Sequence, residues 1–133
     1  MMVSTRGRYA LRVLIDLAEN DAGGYIPMKE VAERQGLSLK YIERIMPLLT
    51  KGDLVEGVHG KGGGYRLKRA VADCTVGEIL RLTEGELAPV DCAGCSDTVC
   101  ERAGDCRTMP MWSGLKTLVN DYFDGITLAD LMK

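Results

Sequence analysis

Cys92, Cys95, Cys100 and Cys106 fall within fifteen residues, spaced C-x2-C-x4-C-x5-C. Cysteine thiolates are the standard ligands of iron–sulfur clusters, and a flexible loop lets several converge on one centre. The spacing differs from the bacterial ferredoxin run and from zinc-ribbon spacing. Four thiolates would still satisfy a zinc ion. A thiol redox switch and incidental cysteines also stay open at this point. Structural disulfides are less expected. No signal peptide is visible, because Arg6, Arg8 and Arg12 interrupt the first apolar stretch, and the chain is read as soluble and cytoplasmic. No run approaches the roughly 20 apolar residues that a membrane-spanning helix needs. Cys74 stands apart and reads as a buried small apolar residue.

A second set of residues suits a polyanion. Ser38, Lys40, Tyr41, Glu43 and Arg44 lie at the start of a short amphipathic segment. Lys40 and Arg44 can each reach a phosphate or a guanine edge, and Glu43 can accept from a cytosine amino group. Tyr41 can donate to a phosphate. Downstream, His59, Lys61, Arg66, Lys68 and Arg69 surround Gly60, Gly62, Gly63 and Gly64. Glycines let backbone come close to a phosphate or a narrow minor groove, and Lys61 at the tip is the natural probe of that groove. Arg6 and Arg8 add candidate backbone contacts. A nucleotide-cradling loop is the competing reading of the glycines. No Gly-Lys-Ser/Thr ending or following helix supports it.

The charge distribution agrees. Residues 1–70 hold 12 Lys/Arg against 8 Asp/Glu, and residues 71–133 hold 5 against 11. The first part is therefore at +4 and the rest at −6, which the net charge of −2 conceals. An enzyme is not expected: no nucleophile–His–acid set appears, and a single histidine makes most acid–base schemes harder.

The elements that must position these residues follow from periodicity. Ser4 and Thr5 can cap a helix to about Glu19 whose apolar positions are Tyr9, Ala10, Val13, Leu14, Leu17 and Ala18. Met28–Gln35 and Leu39–Lys51 read as two helices joined by a turn at Gly36, with Leu37 stapling it and Ser38 as cap. That is a helix-turn-helix pattern. Pro47 should kink the second helix or break its ladder locally. Leu54–Val58 and Tyr65–Lys68 read as a β-hairpin, and a hairpin directly after such a pair is a wing. Thr75 can cap a helix through about Thr83. Residues 84–108 read as a loop longer than most structureless ones. Thr108 can cap a long helix with Pro110 in its first turn and a stripe of Met111, Trp112, Leu115, Leu118, Val119, Tyr122 and Phe123. Met46, Met109 and Met111 read as core. A short last helix follows Thr127. The fold expected is mainly α with a small β-hairpin: a winged helix-turn-helix over 1–83, a cysteine-rich loop over 84–108, and a long helix with a short C-terminal helix over 109–133.

Ser4-Thr5-Arg6-Gly7-Arg8-Tyr9-Ala10-Leu11-Arg12, Glu33-Arg34-Gln35-Gly36-Leu37-Ser38, Tyr41-Ile42-Glu43 and Gly60-Lys61-Gly62-Gly63-Gly64-Tyr65 resemble the Rrf2 family of winged-helix regulators. The resemblance runs through Ile126-Thr127-Leu128. It implies a homodimer on double-stranded DNA with a palindromic operator, the long helix near the C-terminus making the dimer contact. It also implies a transcription regulator, a repressor, sensing iron–sulfur status, redox or nitric oxide.

The iron–sulfur branch carries three loop cysteines, and Cys95, Cys100 and Cys106 match them. Some members add a histidine three residues after the last cysteine, where this chain has Met109. Others use an acid near the start of the first helix, where this chain has Arg8. Cys92 is therefore the candidate fourth ligand for a [2Fe–2S] or [4Fe–4S] cluster. Glu43 matches an acid that discriminates between operator classes, and His59 replaces an arginine usual at the wing. A cluster-free branch answering to cysteine availability, or a zinc-binding regulator, is the alternative.

Overall fold

The computed structural model describes residues 3–90 and 105–133. Helix α1 runs Thr5–Glu19, with the Ser4 Oγ accepting from the Gly7 amide. It buries Ala10, Val13, Leu14 and Leu17. Helices α2 (Met28–Gln35) and α3 (Leu39–Lys51) lie against it. They add Met28, Val31, Ala32, Ile42, Ile45, Met46 and Leu49 to the same core. Burial of each large aliphatic side chain stabilises by about 1.5–3 kcal/mol, and this core holds the helix pair together.

The turn between α2 and α3 is built locally. Gly36 sits at φ 65° and ψ 34°, a left-handed conformation that glycine adopts without strain. The Leu37 amide donates back to the Ala32 carbonyl, Leu37 packs on the core, and Ser38 Oγ accepts from the Tyr41 amide at 3.3 Å. Pro47 does not stop α3, which continues to Lys51. Proline leaves the carbonyl four residues earlier without its amide donor. Pro47 and Glu43 both lie on the exposed side of the helix, where a missing ladder bond costs less than in the core.

One charged side chain is buried among the described residues: Asp16, on α1, at 3% exposure. It accepts from Arg34 Nη2 at 2.8 Å, from Arg34 Nε at 3.1 and 3.2 Å, and from Gln35 Nε2 at 2.9 Å. Arg12 donates to the Gln35 carbonyl from the same helix. Packing and polar contacts thus both set α2 against α1.

Strands β1 (Val55–Val58) and β2 (Gly64–Leu67) pair antiparallel with Val55 opposite Leu67 and Val58 opposite Gly64. Ile26 and Tyr65 exchange both backbone hydrogen bonds at 2.8 and 2.9 Å, anchoring β2 to the segment that enters α2. A single 3-10 turn, Val71–Asp73, follows the hairpin and was not apparent from periodicity.

Helix α4 (Val76–Glu84) is capped by Thr75 and packs on α1. Helix α5 (Met109–Asp124) packs on α4 through Arg81, which donates to both oxygens of Asp124 and to Asn120. The backbone of Gly77 lies so close to Asp124 that a Cβ there would sit 2.0 Å from its Oδ1. A smaller core of Val76, Leu80 and Leu87 fills this junction. Leu87 is buried and its carbonyl accepts from Asn120, so the start of the expected loop is docked. Helix α6 (Leu128–Leu131) closes the chain, with the Leu128 amide donating to Cys74.

Two expectations for α5 need correction. Thr108 makes no side-chain cap, having helical backbone angles and its hydroxyl against Cys106. Met111 is not a core residue: it is 56% exposed, with Leu115, Leu118 and Tyr122 also open. The apolar stripe is wider than the face that α4 covers.

Truncating Asp16 strands Arg34 and Gln35. Asp16→Ala is expected to lower unfolding free energy by about 2–4 kcal/mol in urea titration, discounted for the partial exposure of Arg34. A loss under about 0.5 kcal/mol would contradict the role assigned to this carboxylate.

Candidate nucleic-acid interface and cysteine site

The helix pair presents the outer side of α3 to solvent. Ser38, Lys40, Glu43 and Arg44 are exposed and Tyr41 is half-buried, its ring edge-on to Tyr9 with centroids 5.5 Å apart. Ser38, Lys40, Tyr41 and Arg44 line a notch of about 240 Å³. A larger notch of about 460 Å³ lies between helices. Ser4, Thr5 and Arg6 form its α1 side, and Tyr41, Arg44 and Ile45 its α3 side. The structure thus brings Arg6 and Arg44 to one concavity. Arg8 is exposed on α1 and donates to Thr5 Oγ1.

The basic residues divide into two groups. At the wing stem, Arg66 pairs with Glu56 at 2.7 Å, Lys68 with Asp53 at 3.1 Å and Arg69 with Glu78 at 2.8 Å. Arg66 also lies over the Tyr25 ring. The hydrogen bond that Arg66 donates to Glu56 raises the already high pKa of the guanidinium. Among the described residues, Lys40, Arg44 and Lys61 have no acidic partner. His59 and Lys61 are exposed at the tip. The stem cations expected to line the wing are therefore internally compensated, whereas the tip and α3 are not. Each stem pair is solvent-accessible and screened, so it contributes little to stability.

Cys106 is the described member of the cysteine set; Cys92, Cys95 and Cys100 lie outside the described residues. Its Sγ is 3.3 Å from Thr108 Oγ1. Hydrogen bonds from the Thr108 side chain, then from the Thr108 and Met109 backbone, hold its pKa below the usual thiol value. Such donors favour the thiolate, the form that ligates metals. No group of three or more His, Cys, Asp or Glu able to hold a metal occurs among the described residues. Cys74 is fully buried beneath the 3-10 turn, its thiol bonded to the Ala70 carbonyl. Burial pushes its pKa up against the pull of Arg69, as suits an inert core thiol.

Sequence reasoning missed Glu84. Its Oε1 accepts from the Ser4 amide at 2.9 Å and from the Ser4 hydroxyl at 2.5 Å, across eighty residues of sequence. No local pattern marks such a contact. The glycine at position 7 was the one available signal, since a Cβ there would lie 2.4 Å from Glu84 Oε1.

A helix-turn-helix followed by a glycine-tipped hairpin, with uncompensated cations on the second helix and the tip, defines a winged helix-turn-helix DNA-binding protein. The comparisons agree. The Rrf2 family, described as an iron-dependent transcriptional regulator, matches residues 3–133. The HTH-type transcriptional regulator IscR of Vibrio atlanticus is 34% identical over 133 residues, covering 100% of this chain and 76% of that protein. The structure of CymR, the global cysteine regulator of B. subtilis, superposes with a TM-score of 0.80 at 32% identity, covering 98% of this chain and 95% of that one. T. potens IscR gives 0.77 at 35% identity, covering 98% and 85%. The chain belongs to the Rrf2 family of transcription regulators, and it is not an enzyme. Among the described residues, no helix is long and apolar enough to cross a membrane.

The wing's attachment is testable. A Cβ on Gly64 would lie 2.2 Å from the Ile26 carbonyl oxygen, and its φ of 154° lies where side chains are rarely found. Gly64→Ala should push β2 off the Ile26 segment at a cost of about 1–3 kcal/mol. Hydrogen exchange at the Ile26 and Tyr65 amides should quicken while α1 and α3 stay protected. Unchanged exchange at those two amides would contradict the anchoring described.

Proposed function

We propose that the chain acts as a homodimeric, cytoplasmic repressor that reads a palindromic operator in duplex DNA. Residues 1–83 would supply the reading unit, 84–108 the sensing segment and 109–133 the dimer contact. The reading rests on one observation above the rest: α3 turns Lys40 and Arg44 outward with no acidic partner among the described residues. An unpaired cation on an exposed helix face is free to replace the counterions of a phosphate or to donate to a guanine edge. Ser38, Tyr41 and Glu43 share that helix end, with Glu43 as acceptor for a cytosine amino group. Lys61 and His59 meet the adjacent groove from the wing, and Arg6 and Arg8 meet the backbone from α1.

The uncovered part of α5 supports the dimer. Met111, Leu115, Leu118 and Tyr122 form an apolar strip continuous with grooves lined by Pro110, Trp112, Val119 and Phe123. A strip of that composition on a soluble chain favours a partner surface, and a twofold copy matches an operator with twofold symmetry. Affinity should fall steeply with salt. Lys40→Glu and Arg44→Glu are each expected to abolish sequence-specific binding, and Arg44→Ala to cost about 1–3 kcal/mol, with unfolding unchanged. Normal operator binding by both charge-reversed variants would overturn the assignment of α3.

For the sensor, Cys92, Cys95, Cys100 and Cys106 would hold an iron–sulfur cluster, which supplies a response to iron, redox state or nitric oxide. The stabilised Cys106 thiolate and the four-thiolate donor set fit that role. The signal reaches DNA only through a difference in affinity between the loaded and empty forms. A cluster-free thiol response is the second reading, favoured by the likeness to a protein named as a cysteine regulator. Protein isolated without oxygen should contain iron and acid-labile sulfide and absorb in the visible. A colourless, iron-free protein after reconstitution would exclude the cluster, and stoichiometric zinc would replace it with a zinc site.

A further inference from the structure

The first turn of α1 is held from an unexpected place. The Ser4 amide and hydroxyl both donate to Glu84 Oε1, at 2.9 and 2.5 Å, and Arg6 Nη2 donates to the Thr83 carbonyl. Gly7 is buried against the same two residues, with no room for a side chain: a Cβ would lie 2.4 Å from Glu84 Oε1 and 3.0 Å from Thr83 Oγ1. Thr83 is itself buried, so this end of α4 is a fixed support. On its other side, the same turn of α1 forms one wall of the notch whose opposite wall is Tyr41, Arg44 and Ile45 of α3. The last turn of α4 therefore determines where Ser4, Thr5 and Arg6 stand relative to the recognition helix.

A carboxylate beside a DNA-binding face is unfavourable on electrostatic grounds alone, since it adds repulsion toward phosphates. Its position is explained by the donors that it organises. We infer that Glu84 is a positioning residue for DNA binding: it clasps the first turn of α1 so that Arg6 and Arg44 face one phosphate from two helices. The inference rests on the DNA-reading assignment of α3 and extends it to a residue that touches no DNA.

The two roles of Glu84 differ in the sign of their effect. If Glu84 were only a negative charge near the interface, removing it would tighten binding. If it positions Arg6, removing it weakens binding. The test uses a duplex selected by the wild-type protein from a random-sequence pool, with affinity measured over a series of salt concentrations. Glu84→Ala should weaken binding about tenfold, equivalent to about 1.4 kcal/mol. It should also make the slope of log affinity against log salt shallower by about one phosphate contact. Glu84→Gln retains an acceptor for Ser4 and should stay within about twofold of wild type. In an Arg6→Ala background, Glu84→Ala should have little further effect, which a general loss of stability would not produce. Ser4→Ala keeps the amide donor but removes the hydroxyl half of the clasp, together with the cap on the Gly7 amide, and serves if Glu84→Ala does not fold. It too should weaken binding.

Unchanged or tighter binding by folded Glu84→Ala overturns the inference, as does full additivity with Arg6→Ala. Arg44→Ala in the same series separates the two levels. Normal binding by that variant removes the DNA-reading assignment and the inference with it. Impaired Arg44→Ala beside unimpaired Glu84→Ala removes the clasp alone.

Discussion

A carboxylate held at 3% exposure must be supplied with donors, and in this chain that requirement organises the DNA-reading half. Asp16 projects from α1 into the junction with α2 and draws Arg34 and Gln35 onto itself from the end of α2. Those two residues directly precede Gly36, so the carboxylate fixes the point at which the chain turns toward α3. The hydrophobic core alone would tolerate small rotations of α2, because apolar contact is non-directional. A carboxylate receiving several hydrogen bonds from a guanidinium and an amide does not. The angle at which α3 leaves the turn, and hence the face shown by Lys40 and Arg44, follows from that geometry.

Charge is spent differently in the two halves. The stem of the wing carries Arg66, Lys68 and Arg69, each beside an acid from β1, the turn before it or α4. Those pairs lie at the surface, where each contributes little to stability. They reduce the local excess of positive charge that would otherwise repel α3, while the tip and recognition helix retain theirs. Counting Lys and Arg over residues 1–70 thus overstates the charge that DNA meets. The unpaired set is smaller and lies on α3 and at the wing tip.

Much of this was legible in the residues. The bounds of α2 and α3, Gly36 as the break and Ser38 as the cap are local signals, and local signals are what periodicity and capping rules read. The burial of Cys74 was also legible. The partners of the wing cations were not, since Asp53, Glu56 and Glu78 are met only when the hairpin and α4 are folded. Glu84 was invisible for the same reason. Thr108 misled because a threonine before a proline-containing first turn resembles a cap, while its hydroxyl had a competing neighbour in Cys106.

The apolar stripe on α5 is only partly covered by its own chain. Seven apolar residues at helical spacing predict burial, and within one chain Val119 and Phe123 meet that prediction in part, half-buried against the α4 junction. Leu118 and Tyr122 lie one position before each of them and remain open. A helix with an apolar arc this wide needs two surfaces to cover it, and α4 supplies one. The polar contacts of Arg81 with Asn120 and Asp124 fix which arc faces α4. The helix cannot roll to hide Leu118 without breaking them. The exposed arc is therefore held outward by the same residues that dock the helix, and it is the surface that the dimer proposed above would use.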